Sequence, residues 1–162
     1  MKIICSKSSL LKSVSIALKA VPSKTTMPIL ECILMDANTN QIKFTTNDME
    51  LGIETIVEGT IEEKGKVALD AKIFYEIIRR LPDNDVTIKT DDKYAATITC
   101  EKAKFNIPGK SGEDFAYLPM IEKDEPLTIS QYTLKEMIRQ TIFSIAVNEN
   151  NKLMTGELFE IK

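Results

Sequence analysis

The chain has 162 residues, of which 43% are hydrophobic and 28% charged, and its 21 basic and 24 acidic residues give a net charge of −3. These proportions are typical of a globular protein and exclude collagen, coiled coil and a disordered chain. No apolar run reaches the ~18–20 residues of a membrane span, and the N-terminus becomes polar too soon for a secretory signal, which predicts a cytoplasmic protein with no membrane partner. The chain has no histidine and three widely spaced cysteines, Cys5, Cys32 and Cys100. We therefore expect packed thiols and no metal site, histidine general base or cofactor.

A pattern of strand, cap and helix occurs three times, beginning with a short apolar strand at residues 2–5. Apolar residues recur at three- and four-residue spacing after Ser6, Asp70 and Ser130, which are good helix caps. The helices are predicted over residues 7–20, 71–81 and 131–146, and the first two end at prolines. The caps are separated by about sixty residues, so the sequence predicts an internal repeat.

Between the helices the apolar period changes to two, which is typical of strands. The predicted strands cover residues 29–35, 41–46 and 51–57 after the first helix, and 86–89, 97–100 and 103–107 after the second. Each repeat is therefore predicted as a strand, a helix and three antiparallel strands. The first repeat covers about residues 1–60 and the second about 61–118.

The two repeats together predict one domain at residues 1–118. Residues 119–125 contain a proline and several charges, and we expect them to form a linker. The third repeat, at residues 126–162, has a predicted helix and predicted strands only at 127–129 and 156–161. So little sheet cannot bury both faces of its own elements, and this segment is therefore interpreted as the truncated start of a second domain.

Positive charge is concentrated on the predicted helices, which hold eight of the 21 basic residues and two of the 24 acidic ones. Lys12 and Lys19 are seven residues apart and share a helix face, as do Lys72 and Arg79. The third helix carries Lys135 and Arg139, four residues apart. A solvated helix face is one interpretation of these stripes. A surface for a polyanion, contacted along its backbone, is the other.

The order and spacing of several segments resemble the bacterial sliding clamp family, the beta subunits of the replicative DNA polymerase III holoenzyme. The segments are residues 24–30, 45–53, 74–82, 112–115 with 118–119, 143–146 and 156–159. The resemblance implies an α+β fold, the DNA clamp fold, with helices lining the DNA side and antiparallel sheets outside. It also implies three such domains per chain and two chains joined head to tail into a ring around duplex DNA. The whole protein would tether the polymerase for processivity, and this chain would supply the first domain and the start of the second.

The resemblance implies roles for individual residues. It places Lys24, Lys72, Asn148 and Lys152 near DNA, and Lys152 and Leu153 stand where the family can have aromatic residues. Adding the helix stripes extends the expected DNA-contacting set to Lys12, Lys19, Arg79, Lys135 and Arg139. The expected edge toward the partner chain comprises Ile73, Leu81, Lys104, Phe105 and Ile107. Met154 matches one wall of the pocket for short peptide motifs of the polymerase, the clamp loader and other clamp-binding proteins.

The family is non-catalytic, although it is grouped with DNA-directed DNA polymerases, which are nucleotidyltransferases, because it belongs to their holoenzyme. Two alternatives remain open at this point. Asp48 with Glu50, or Glu113 with Asp114, are carboxylate pairs that a metal-dependent nuclease could use. A third class of protein, an oligomerising β-scaffold without nucleic acid, also fits the strand-rich pattern.

Overall fold

The computed structural model describes residues 1–117, 127–147 and 151–160, except for the side chain of Lys152. The chain divides into two compact units, Met1–Pro119 and Met120–Lys162. The predicted boundary at residue 118 and the predicted linker at 119–125 lie outside the described residues. No helix in the described ranges is long and apolar enough to cross a membrane.

The described part of the first unit contains two α-helices and ten strands, which confirms the predicted α+β class. In chain order they are β1 (Lys2–Ser6), α1 (Lys7–Ala17), β2 (Cys32–Asp36), β3 (Ile42–Asn47), β4 (Gly52–Val57), β5 (Thr60–Glu63), β6 (Lys66–Asp70), α2 (Ala71–Arg80), β7 (Asp85–Thr90), β8 (Ala96–Cys100), β9 (Ala103–Ile107) and β10 (Gly109–Ser111).

The strands form two antiparallel sheets with matching orders. Sheet A has the order β5-β1-β7-β8-β9, and sheet B has the order β10-β6-β2-β3-β4. Strands at the same position in the two sheets are equivalent strands of the two repeats: β1 matches β6, and β9 matches β4. The internal repeat is therefore confirmed. The first strand of each repeat pairs with strands of both repeats: β1 lies between β5 and β7, and β6 lies between β10 and β2. The two repeats are therefore interlocked in one unit.

Each repeat has four strands after its helix, where the sequence predicts three. The additional strands, β5 and β10, are short edge strands. Among the four residues of β5 only Ile61 is strongly apolar, and β10 has none, so neither shows the alternation that marks a half-buried strand. Pairing with β1 and β6 forms these two strands despite their weak pattern.

The two helices pack against each other and against both sheets in one core. Phe74 of α2 meets Phe44 of β3 edge to face, with ring centroids 6.1 Å apart. The rest of the core comes from both repeats, including Leu10, Val14, Ile33, Leu69, Ile78, Ile88 and Ile98. Because α1 and α2 share this core, the side of each helix away from it faces solvent.

The predicted caps are confirmed, while several predicted ends shift. Backbone N–H groups of Ser9 and Ile73 donate to the side chains of Ser6 and Asp70, at 3.2 and 2.8 Å. The helix α1 ends at Ala17 and continues as a 3₁₀ turn at Leu18–Ala20, whereas α2 ends at Arg80. The strand predicted from residue 29 is wrong at its start. Pro28 begins a 3₁₀ turn over Pro28–Glu31, because its fixed φ suits the first position of a helix.

The described part of the second unit is dominated by one helix, α3 (Gln131–Thr141), capped by Ser130, which accepts from the N–H of Thr133 at 3.1 Å. It is shorter than predicted and is followed by a 3₁₀ turn at Ile142–Ser144. None of its residues is buried. The strands predicted at 127–129 and 156–161 are absent from their described residues, because a strand needs a paired neighbour. Residue 161 lies outside the described ranges.

Candidate nucleic-acid interface and strand edge

The solvent side of α1 carries lysines and no acidic residue. Lys12 is exposed, while Leu10, Val14 and Ala17 fill the buried side of the same helix. Lys19 is also exposed, in the 3₁₀ turn that extends α1. The tighter winding of that turn places Lys19 off the ideal seven-residue stripe. Neither lysine has a carboxylate within 4.0 Å in the described part of the chain.

The solvent side of α2 is also basic, although one acid interrupts it. Lys72 is exposed at the first turn and has no ion pair among the described residues. Arg79 donates to Glu76 at 2.7 Å, and Arg80 approaches the same carboxylate at 3.4 Å. This hydrogen bond and the negative charge of Glu76 raise the pKa of Arg79. Arg79 stays protonated, and Glu76 compensates part of its positive charge. Lys72 is therefore the stronger candidate for a phosphate contact.

Lys24 lies exposed in the loop between the 3₁₀ turn after α1 and the turn at Pro28–Glu31. The loop is ordered locally by Thr25, whose hydroxyl accepts from the N–H of Met27 at 3.0 Å. Because α1 and α2 are in contact, the predicted basic residues of the first unit belong to two adjoining helices and one loop. We define this set, Lys12, Lys19, Lys24, Lys72 and Arg79, as the cationic helix face.

In the second unit, Lys135 and Arg139 are both exposed on α3, and Arg139 donates to Glu136 at 2.7 Å. Leu153 lies almost fully exposed in the 3₁₀ turn Lys152–Thr155. Asn148 and the side chain of Lys152 lie outside what the structure describes. Met154 lines an open apolar groove of about 670 Å³ with residues of α3 and of 156–160. The roles expected for all these residues of the second unit therefore stay predictions.

The predicted subunit edge corresponds to β9, the last strand of sheet A. Lys104 and Phe105 are exposed on it, and Phe105 lines a shallow groove with Lys72, Ile73 and Ile77 of α2. Two of the five expected interface residues are not on the surface. Leu81 and Ile107 are only 3% and 6% exposed and belong to the core. Ile73, Lys104 and Phe105 are exposed, so these three of the five remain candidates for a direct contact.

One carboxylate of each pair has a structural partner among the described residues. One oxygen of Asp48 accepts from the N–H groups of Glu50 and Leu51, at 3.0 and 2.7 Å, which shapes the turn before β4. Glu113 lies 3.6 Å from the ammonium group of Lys66. In the described ranges no group of three potential metal ligands is found. The two backbone hydrogen bonds give Asp48 a structural role in the turn before β4.

Sequence reasoning missed the segment that covers the outer face of sheet B. Phe115 packs there on Cys32, Leu34 and Ala68, and Tyr117 stacks edge to face on Phe115. The ammonium group of Lys66 lies 5.1 Å from the centroid of the Tyr117 ring. The continuous apolar pattern of β2 was the available signal, since a strand buried on both faces needs cover on its second face.

Comparison with known proteins accounts for this architecture. The family model for the N-terminal domain of the DNA polymerase III beta subunit matches residues 1–119. A beta sliding clamp from Synechocystis sp. is 35% identical over 96% of this chain. A putative DNA polymerase III beta subunit from Eubacterium rectale has a TM-score of 0.91, with 69% identity over the whole chain. The Bacillus subtilis DNA polymerase sliding clamp has a TM-score of 0.85, with 35% identity over 94% of the chain.

The share of each relative that the chain covers is smaller. It spans 42% of the Synechocystis clamp, 44% of the Eubacterium rectale chain and 42% of the Bacillus subtilis chain. The match extends through both sheets and both helices of the first unit, since the family model covers all of them. The predicted clamp fold is confirmed, and the chain belongs to the family of DNA polymerase III beta subunits, the beta sliding clamps.

Proposed function

We propose that this chain supplies the first domain, residues 1–118, of a non-catalytic sliding clamp that encircles duplex DNA in the bacterial cytoplasm and tethers the replicative polymerase. In this proposal residues 119–125 are the linker and 126–162 begin the second domain. The single observation that supports it best is the charge asymmetry of the first unit. In a chain of net charge −3, the exposed side of each helix in the first unit carries lysine, and Lys12, Lys19 and Lys72 have no ion pair among the described residues.

The cationic helix face suits the phosphate backbone of DNA. Lysine is a flexible point charge that contacts phosphates without fixed geometry, and such contacts carry no sequence information. Binding through them is weak at physiological salt, with a dissociation constant on the order of 10⁻⁴ to 10⁻⁶ M. A clamp needs this weakness, because it must slide, and its persistence comes from closure of the ring.

The remaining partners follow from family membership. In the proposed ring, the β9 edge with Ile73, Lys104 and Phe105 meets the partner chain head to tail, supported by Leu81 and Ile107. Lys135, Arg139, Asn148, Lys152 and Leu153 would extend the DNA-facing surface from the second domain. Met154 would contribute to the site for peptide motifs of the polymerase and clamp loader.

Binding of this chain to two short duplexes of unrelated sequence, measured by fluorescence anisotropy over a salt series, tests the DNA contact. We expect equal affinities for both duplexes, with a logarithmic salt slope of about −0.9 per phosphate contact. A clear preference for one sequence would contradict backbone binding. Absence of binding at low salt would favour the oligomerising scaffold instead.

The ring itself is a property of a chain of full family length. Such a protein, once loaded, is expected to remain on closed circular DNA through a sizing column and to leave when the circle is cut. Equal retention on circular and linear DNA would contradict a topological grip.

A further inference from the structure

Residues 112–117 follow β10 and cover the outer face of sheet B, and we define them as the strap. Their first three residues form a 3₁₀ turn that contacts β6 and β2. Phe115 is only 3% exposed, although it belongs to no strand or helix. We therefore expect burial of this one ring to contribute most of the free energy that holds the strap in place.

The outer face of sheet B is apolar beneath the strap, whereas the equivalent strand of sheet A is polar on its outer face. On sheet B, β2 places Cys32 and Leu34 under the strap, and they are 4% and 1% exposed. On sheet A, the equivalent strand β7 has Asp85, Thr87 and Lys89 on its outer side. The apolar face of β2 is therefore specific to the strap and is not a consequence of the internal repeat.

Side chains attach the strap to sheet B. The ladder between β10 and β6 ends before the strap begins, at Ser111. The side-chain amide of Asn47 donates to the carbonyl of Ala116 at 2.7 Å. The N–H of Phe115 donates to the carbonyl of Gly112 at 3.4 Å, within the strap itself. A segment attached in this way can open without breaking the pairing of either sheet.

Lys66 of β6 flanks the strap and contacts its last residue. The ammonium group lies 5.1 Å from the centroid of the Tyr117 ring and 3.6 Å from the carboxylate of Glu113. The side chain of Glu113 is 78% exposed, so solvent screens this ion pair and it contributes little. The rings of Tyr117 and Phe115 meet edge to face, with centroids 5.6 Å apart. Lys66 and the two rings therefore form one small cluster at the end of the strap.

We propose that the strap is releasable: it opens as one local unit while both sheets stay folded, and its opening uncovers the thiol of Cys32. An open strap also frees about 20 Å of extended chain before the residues that follow Tyr117, since each of its six residues spans about 3.3–3.6 Å. The connection from the first unit to the second can then lengthen without unfolding the first. This opening involves no nucleic acid, so its failure would leave the proposed DNA contact untouched, and the reverse also holds.

Thiol labelling of the full chain at about pH 8, followed for each cysteine by mass spectrometry of peptides, tests the proposal. Cys32 lies beneath the strap, whereas Cys5 lies in the core that both sheets share. We expect labelling of Cys32 to be roughly tenfold faster than labelling of Cys5, or more. Urea below the unfolding transition should leave the Cys32 rate nearly constant and raise the Cys5 rate steeply, because local opening exposes little surface and global unfolding exposes much.

A glycine substitution loosens the strap without removing any of its contacts. At Gly112 an added Cβ would collide with the Cγ of Lys66, so Gly112→Ala should raise the Cys32 rate roughly tenfold. Gly156→Ala is the matched control, because a Cβ added there meets no atom within 4 Å. It should leave the Cys32 rate unchanged.

A second pair of variants separates opening of the strap from unfolding of the core. Phe115→Ala removes the buried ring and should raise the Cys32 rate by more than roughly tenfold. Ile88→Val weakens the shared core instead, so it should raise the Cys5 rate severalfold and leave the Cys32 rate unchanged. Equal rates with equal urea dependence for Cys32 and Cys5 would overturn the proposal. So would a Cys32 rate that neither strap variant changes, as opening of the neighbouring 3₁₀ turn would produce.

Discussion

Asn47, at the end of β3, is a buried polar residue that connects two distant parts of the first unit. It is 1% exposed, and its side-chain amide donates to the carbonyl of Ala116 at 2.7 Å. Its side-chain oxygen accepts from the N–H of Met49, a residue with a positive φ of 76°. The amide therefore fixes both the turn before β4 and the segment that covers sheet B.

Asn47→Ala should lower the free energy of unfolding by about 1–3 kcal/mol, because it removes two part-buried hydrogen bonds, to the carbonyl of Ala116 and from the N–H of Met49, of about 0.5–1.5 kcal/mol each. Urea denaturation measures the change. Asn106→Ala is the matched control: Asn106 is exposed and accepts from Thr97 at 2.9 Å, so its loss should cost less than about 0.5 kcal/mol. Equal losses in both variants would contradict the role assigned to Asn47.

The three thiols are buried, and burial is the main cause that raises their pKa values. Cys5 shows the largest effect, with its pKa raised to about 12 by burial and then by the nearby charge of Asp85. The neutral thiol dominates near pH 8, so a thiol reagent should label the native chain only as fast as the chain opens. Rapid labelling of any one cysteine at that pH would show that its burial is incomplete.

The same shift predicts a dependence of stability on pH. In the unfolded chain the pKa of Cys5 lies near its ordinary value of 9.0, and in the folded chain it lies at about 12. Its contribution is therefore fully present below about pH 9 and is lost as the pH rises toward 12. Between about pH 9 and 11 the thermal midpoint of Cys5→Ala should fall less steeply than that of the native chain. Equal pH dependence of the thermal midpoint in the two proteins would contradict the raised pKa of Cys5.

At the scale of single elements, the cap of α2 is a separable contribution. Asp70 accepts from the N–H of Ile73 at 2.8 Å and satisfies a donor that the helix cannot. Asp70→Ala should lower the free energy of unfolding by about 1 kcal/mol, whereas Asp70→Asn, which can still cap, should cost clearly less. Urea denaturation of the pair separates capping from other effects of the side chain. If the Asn variant is as unstable as the Ala variant, the negative charge of Asp70, and not its hydrogen bond to Ile73, stabilises the helix.

The caps, the helix stripes and the sixty-residue repeat could be predicted because each depends on contacts between near neighbours in sequence. The interlocking of the repeats could not be predicted, since nothing in the sequence of β1 shows that it pairs with β7 of the other repeat as well as with β5 of its own. Ile107 shows the limit for the site: its alternation with Phe105 fits both a core position and a subunit edge. Only tertiary packing distinguishes the two, and it buries Ile107 while leaving Phe105 exposed.

At the scale of the whole molecule, the first unit has two lysine-bearing surfaces with different expected roles. The cationic helix face is expected to contact DNA, while the outer face of sheet A is expected not to. The second surface carries exposed lysines as well, including Lys89 on β7 and Lys93 in the turn that follows it. All these lysines contribute equally to the net charge of the protein. A comparison between the two surfaces therefore separates the effect of a lysine's position from the effect of its charge.

The most direct measurement is the salt dependence of duplex affinity for two double variants with the same change in charge. Lys12→Ala with Lys72→Ala should weaken binding roughly tenfold on unrelated sequences and reduce the salt slope by about two units, one for each phosphate that is no longer neutralised. Lys89→Ala with Lys93→Ala should leave both the affinity and the slope close to those of the native chain. Equal losses in the two variants would contradict the account, because they would mean that the DNA responds to the charge of the protein and not to its helix face.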